Sequence, residues 1–516
     1  MPKRPSAPPA SPAGSRTTRS GWLSGEPLSR RTHLVLGLAL PMLLTLVNTV
    51  RLSGFTIDDA FISFRYADNL ARGAGLVYNL GERVEGYTNF LWTVLLSIGA
   101  LLGARPEITA KVLGTLAACA SLVPVYLLAE RLRPMRWAPC LATWLCASSF
   151  PFTGYAVFGL ETPLFVLLVL SATELFFREH EREEGLPWSG LLFALATLTR
   201  PEAPLLLLLL YIWQGGSPLH RKSLVRVLLF AAPVLVHLAF RRFYYGAFVP
   251  NTLAAKTGNF TQQLAGGSDY LKRYVAHAGP LLWLGIGAIA IAIVRRRRDG
   301  IAIGAIAFTW GLYVVLVGGD WMPFFRFLAP AEPFAFVLVD VAARAILERR
   351  ERAAVLAVSA FAAIMVIHRA RSWNEAKKFI FEKEKVFWDD VPGRTAEWIV
   401  KHDKPGPVVI ADIGYVGYRT GLPIVDMLGL LSPEIAKLPG GYTNKTGEGF
   451  MDAVFAKDPR YFVIISSTAD CKSPGPPSSR AALADGRLQS GFRLAETIRI
   501  GTGGAWCIFE KKDAPK

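Results

Sequence analysis

Long apolar blocks separated by short charged bursts, rather than helical or strand periodicity, set the pattern of this chain. The first block runs from about His33 to Val50, and others begin near residues 90, 109, 138, 157, 188, 203, 224, 280, 301, 327 and 353. Several are shorter than the roughly 20 residues that cross about 30 Å of hydrocarbon. Positive clusters orient them: Arg4, Arg16, Arg19, Arg30 and Arg31 place the N-terminus in the cytoplasm, as do Arg131 to Arg136, Arg295 to Arg298, and Arg349, Arg350 and Arg352 for their own loops. The parity of crossings conflicts only over residues 89–130, where the short stretch Asn89 to Leu102 is expected to be re-entrant or interfacial. About eleven true spans remain.

The flanks differ from this frame. Residues 1–32, rich in Pro, Ser, Ala and Arg, read as a disordered cytoplasmic arm. Residues 33–368 form the transmembrane domain, with a first outer loop over 54–88. Residues 369–516 have no spanning segment; the runs Val408 to Asp412 and Tyr461 to Ile465, set among Gly/Pro turns, predict strands of a small α/β domain outside the membrane. The expected class is an α-helical polytopic membrane protein with a C-terminal extracytoplasmic α/β domain.

Composition agrees. Of 516 residues, 52% are apolar and 19% charged, against roughly 45–50% and 25% in soluble proteins, and the mean hydropathy is +0.33. The net charge of +17 lies mainly in bursts between apolar runs, which weighs against a nucleic-acid partner and for the lipid bilayer. Cys119, Cys140 and Cys146 sit in apolar runs as packing residues, and Cys471 and Cys507 are candidates for one disulfide where the tail faces an oxidising compartment. Phosphate-loop, dinucleotide and His-Glu-x-x-His motifs are absent from the sequence, so ATP-driven transport and zinc proteolysis find no support.

Polar residues concentrate just after the first span, in Ile57-Asp58-Asp59-Ala-Phe-Ile-Ser-Phe-Arg65-Tyr66 and Gly81-Glu82-Arg83-Val-Glu85-Gly86-Tyr87-Thr88-Asn89. Adjacent carboxylates at a membrane surface can act as a general base with an assisting group, bind a cation, or cap a helix. Further islands fall on the same outer side: Gly159-Leu-Glu161-Thr162, Thr199-Arg200-Pro201-Glu202, Asn251-Thr-Leu-Ala-Ala-Lys256 and Gly318-Gly-Asp320-Trp321-Met-Pro-Phe-Phe-Arg326. Each alone reads as a solvated span end; together they place carboxylates beside cations able to hold a phosphate.

These motifs, in this order and with Val425-Asp426-Met-Leu-Gly-Leu430 in the tail, resemble the bacterial AftB-like terminal arabinofuranosyltransferases of the GT-C superfamily across most of residues 33–435. Phe90 stands where the resemblance predicts proline. The resemblance implies a multi-span enzyme of the bacterial inner membrane, with its site on the periplasmic face. Its donor is a polyprenyl-phosphate-linked sugar, its acceptor a cell-envelope glycan, and its acidic motif matches Asp58 and Asp59. On that reading either aspartate deprotonates the acceptor hydroxyl, with inversion at the anomeric carbon, and Arg65, Lys256 and Arg326 stabilise the departing phosphate. Glu85, Tyr87, Asn89, Glu161, Arg200, Glu202, Asn251, Asp320 and Trp321 are candidates to hold sugar or acceptor, as are Asp412, Tyr415 and Asp426 of the tail. The sequence leaves open whether a divalent cation (Mg, Mn or Ca) assists the carboxylates. A transporter or flippase for a lipid-linked saccharide and a catalytically silent glycan-binding scaffold are the competing classes.

Overall fold

The computed structural model describes residues 28–513 except 136–137, 183, 216–219, 280–284, 290, 293–296, 349–351, 403, 474 and 502. Most of the N-terminal arm, with Arg4, Arg16 and Arg19, lies outside the described residues, as do Arg136, Arg295, Arg296, Arg349 and Arg350.

Five helices among the described residues are long and apolar enough to cross a membrane: Arg30–Leu52, Pro106–Leu132, Arg221–Tyr245, Arg298–Leu316 and the run Val355–His402. Shorter apolar helices, Phe90–Leu101, Ser189–Thr199 and Ala203–Gln214, lie among them. The 12 residues of Phe90–Leu101 extend only about 18 Å, so this helix cannot cross alone. The membrane core is one continuous cluster in which Leu122, Phe165, Phe193, Trp310 and Val337 of five different helices meet. Apolar residues also cover outward faces: on Arg221–Tyr245, Leu228, Val236 and Phe243 are 65%, 70% and 87% exposed. An outward helix face this apolar suits lipid rather than water.

The helical run through His402 leads into a five-stranded mixed sheet of order β2-β1-β3-β5-β4: β1 (Val408–Ile410), β2 (Ile424–Asp426), β3 (Tyr461–Ser466), β4 (Phe492–Arg499) and β5 (Ala505–Lys511). β1 pairs in parallel with β2 and β3, whereas β5 runs antiparallel to β3 and β4. Strand alternation gives the sheet two different apolar faces. Val409, Phe462 and Ile464 pack within the tail. Val408, Ile410 and Val463 pack against Ile62, Tyr66, Tyr78 and Tyr87 of the first loop, so loop and tail share one core. A Cys471–Cys507 disulfide joins the turn after β3 to β5.

Polar contacts fix the register of this packing. The first-loop helix Asp58–Ala71 lies beside the tail helix Gly414–Thr420. Asp58 accepts hydrogen bonds from Gly414 N (3.1 Å) and Tyr415 N (2.6 Å) at the start of the tail helix. Two turns later Arg65 donates to Gly417 O (2.5 Å) and Leu422 O (2.9 Å) at its end, and to Tyr78 O (2.8 Å). A seven-residue spacing advances about 10 Å along a helix, which matches the seven residues of the tail helix. The carboxylate meets the positive end of its dipole and the guanidinium the negative end. Gly414 and Gly417 permit the approach: a Cβ on them would lie 2.0 Å from Asp58 O and from Tyr78 Oη, respectively. Asn79 extends the seam by exchanging hydrogen bonds with Ile424 N (2.8 Å) and O (2.9 Å) of β2.

Arg65→Met leaves buried carbonyls without donors. The expected cost is about 3 kcal/mol, with hydrogen exchange of the 414–420 amides rising well before that of β3; unchanged exchange there rules out the clamp.

Candidate functional site

Successive helical residues diverge by about 100°, so Asp58 and Asp59 face different surroundings. Asp58 is buried and engaged by the tail helix amides. Asp59 is half-buried, makes no hydrogen bond or ion pair among the described residues, and faces Lys256, Arg326, Asp320 and Glu161. Burial pushes the Asp59 carboxyl above its usual range, the cations Lys256 and Arg326 oppose that shift, and Asp320 and Glu161 add to it.

Lys256 ends the short helix Asn251–Lys256. It has no carboxylate within ion-pair distance among the described residues, and its ammonium stands 5.7 Å from the ring centre of Tyr442. Backbone contact brings these two segments together: a Cβ on Gly258 would lie 2.1 Å from Gly440 O. Arg326 is buried and paired through two nitrogens with Asp320, Nε to Oδ2 at 2.8 Å and Nη2 to Oδ1 at 3.1 Å, so Nη1 stays outside the pair. The loop carrying both is tightly constrained. Gly318 and Gly319 have φ of 96° and 74°, and Phe324 and Phe325, at 61° and 59°, occupy the left-handed region that bulky residues avoid. Phe150 and Phe379 hold the Phe324 ring, and Tyr270, Tyr274 and His277 hold that of Phe325.

Behind Asp59 runs a chain of paired charges. Asn89 donates to Glu161 (3.0 Å), Arg200 pairs with Glu161 (3.3 Å) and Glu202 (3.5 Å), and Tyr313 donates to Glu202. The tail contributes Asp412, just beyond the C-terminal end of β1, where open α/β sheets place their ligands. Burial, reinforced by the charge of Asp59, pushes its carboxyl up to about 6. Tyr442 faces Asp59, Asp412 and Asp320. Trp321 is 54% exposed beside the Asp320–Arg326 pair.

The structure therefore brings together Asp59, Lys256, Arg326, Asp320, Glu161 and Asp412, backed by Asn89, Arg200 and Glu202. It gives other candidates different work. Arg65 is no phosphate ligand, because its guanidinium is occupied by the carbonyls of the clamp. Glu85 is buried in an ion pair with Arg241 (2.8 Å), and Tyr87 meets Tyr245 through their hydroxyls (3.2 Å). Asn251 donates to Gly429 O and Leu430 O, and so ties its helix to the tail. Asp426 is fully buried and accepts from Leu428 N and Leu431 N, closing its own turn. Tyr415 contributes its backbone N–H to Asp58 while its ring meets the edge of Phe61. Sequence reasoning missed Tyr442; its one signal is that the string Gly-Tyr-Thr-Asn of residues 86–89 recurs at 441–444.

The donor set does not fit a protein-held divalent ion. Asp320 and Glu161 are committed to arginines, and no group of three or more His, Cys, Asp or Glu among the described residues is placed to hold a metal.

Residues 380–509 match a family model described as a domain of unknown function (DUF8728). A terminal beta-(1->2)-arabinofuranosyltransferase of Corynebacterium glutamicum is 29% identical over 401 residues, 65% of this chain and 55% of the relative. One of the same name from Mycobacterium tuberculosis is 28% identical over 340 residues, 55% of this chain and 53% of the relative. The chain thus spans about half the length of the curated relatives it matches. Crystal structures of ArnT from Cupriavidus metallidurans, apo and bound to undecaprenyl phosphate, superpose with TM-scores of 0.54 and 0.53 at 14% and 11% identity, covering 93% of this chain and 98% of ArnT. In sequence the chain is similar to the terminal arabinofuranosyltransferases, and in fold to ArnT, a GT-C glycosyltransferase.

Proposed function

We propose that this protein is an inverting membrane glycosyltransferase. It moves a sugar, arabinofuranose on the strength of the sequence relatives, from a polyprenyl-phosphate donor to a cell-envelope glycan or glycolipid. The carrying observation is the separation of Asp59 from Asp58: one carboxylate is locked to the tail, and its neighbour, with no hydrogen bond or ion pair among the described residues, stands beside Lys256 and Arg326. An arrangement of about eleven crossings, with the N-terminus cytoplasmic and residues 369–516 periplasmic, places this site at the outer face, and the undecaprenyl phosphate bound to ArnT supports a lipid-phosphate donor.

In the reaction, Asp59 takes the proton of the acceptor hydroxyl as its oxygen attacks the anomeric carbon. The bond from that carbon to the phosphate oxygen breaks, and polyprenyl phosphate leaves with the bonding pair. The leaving group gains charge as it departs, so a preorganised cation stabilises it more than it does the donor. Arg326, fixed by Asp320, meets this need by offering Nη1 without having to reorganise; Lys256, with no ion pair among the described residues, adds a second positive charge. The donor already carries phosphate at its anomeric carbon, so no nucleotide site is required. Asp412, Tyr442 and Trp321 line the acceptor side, which makes the tail part of acceptor recognition.

Purified protein given a panel of polyprenyl-phospho-sugars should release polyprenyl phosphate and form a glycosylated product. Asp59→Asn should lower turnover by about 10²–10⁴-fold. Asp58→Asn keeps one acceptor but turns an amide NH2 toward the other tail N–H, so it should cost about 1–3 kcal/mol of stability and, as a positioning change, lower turnover less than Asp59→Asn does. Retained turnover in folded Asp59→Asn rejects the assignment. Lys256→Gln should lower kcat by about 10²-fold.

The pH profile gives an independent check. Asp59 must be ionised to act, and its raised pKa moves the acid limb above the usual aspartate value of about 3.9. An ionised Asp412 disfavours ionisation of Asp59. Asp412→Asn should therefore shift the limb to lower pH, and a shift upward contradicts the arrangement.

A further inference from the structure

A second cationic feature lies at the other end of the helical domain. Three helices run away from the Asp59 site. Pro106–Leu132 starts where Glu107 accepts from Thr56 (2.6 Å), Arg298–Leu316 ends just before Gly318, and Glu332–Leu347 begins shortly after Arg326. Their lengths of 27, 19 and 16 residues correspond to about 40, 28 and 24 Å. Their far ends therefore sit about one hydrocarbon thickness from the site.

Between those far ends lies a cavity of about 320 Å³. Arg131, Arg133, Arg297 and Arg298, from separate basic bursts in the sequence, converge on it. Arg133 is paired with Glu348, and Arg131 with Glu181. Arg298 donates to Trp213 O (2.6 Å), and the exposed Arg297 side chain has no hydrogen bond or ion pair among the described residues. Neither makes an ion pair among those residues. The one acidic side chain in the lining, Asp299, faces Arg131 and Arg298. The 19-residue helix Arg298–Leu316 also points its N-terminus here, where amide groups favour an anion. The rest of the lining makes an apolar wall of residues such as Ile291, Leu338 and Val341, with Ile291 48% exposed.

We propose that this cavity binds an anionic phospholipid of the leaflet opposite the Asp59 site, its phosphate between Arg297, Arg298 and the helix N-terminus and an acyl chain along the apolar wall. A free phosphate accounts for the cations and leaves the wall unused; a neutral lipid accounts for the wall and leaves the excess cations unpaired. A basic pocket between spanning helices matches both ends of one acidic lipid.

The test uses the full chain in detergent, stripped of lipid, with native mass spectrometry and thermal unfolding as readouts. Phosphatidylglycerol should bind and raise the unfolding temperature, whereas phosphatidylcholine and inorganic phosphate should not. Arg297→Ala combined with Arg298→Ala should weaken phosphatidylglycerol binding by about tenfold or more. Ala342→Leu, which fills the cavity without touching a charge, should weaken it too while leaving glycosyl transfer by the folded variant unchanged. Equal binding of phosphatidylcholine, equal stabilisation by inorganic phosphate, or an unaltered affinity in both variants overturns the proposal. So does an acidic protein, rather than lipid, held by these arginines.

Discussion

The clamp between Asp58, Arg65 and the tail helix governs the candidate site, because the tethered carboxylate and the proposed base are neighbours on one helix. With Asp58 fixed by two amides and Arg65 by three carbonyls, the first turn of Asp58–Ala71 can neither rotate nor slide. The direction of Asp59 is thereby set by contacts it does not make itself. The same clamp carries Asp412 to the site, since Asp412 lies two residues before the amide that binds Asp58. One interaction therefore orients Asp59 and seats the tail.

Around that fixed turn, the structure separates charges that are paired from charges that, among the described residues, are not. Glu161, Arg200, Glu202, Asp320 and Arg326 are buried or nearly so, and each has an opposite charge within 3.5 Å. Such pairs add little net stability after desolvation, but they hold a rigid field around Asp59. Asp59 and Lys256 make no such pair among the described residues. Burial raises the half-buried Asp59 carboxyl while the exposed Lys256 opposes that shift, and the proposed acceptor hydroxyl and departing phosphate would be their respective partners.

Legibility in the sequence followed the range of the interaction. Long apolar runs, the short apolar helix before Leu102 and the buried strands around Val409 and Phe462 are local patterns, legible in the sequence. The Asp58-Asp59 pair is visible in the sequence as adjacent carboxylates, but not their different surroundings, which depend on a helix some 350 residues away in the chain. Arg65, Asn251 and Asp426 looked like ligand residues because polar groups beside an outer loop usually are. They turned out to satisfy backbone groups where loop and tail meet, a partner that no local pattern reveals. Tyr442 was missed for the converse reason: a single tyrosine in a Gly-rich turn carries no signal until Gly258 and Gly440 bring it to Lys256.

The positive charge of the chain divides in the same way. Some cations are counterions within the protein: Arg200, Arg326, Arg344 and Arg133 each face a carboxylate. Others, Lys256 at one end of the helical domain and Arg297 at the other, have no such partner among the described residues. A bilayer offers phosphate at both of its surfaces and none between them. Unpaired cations in a spanning protein are therefore tolerable at these two depths, where a lipid phosphate can neutralise them, and at one depth that phosphate can also be a leaving group.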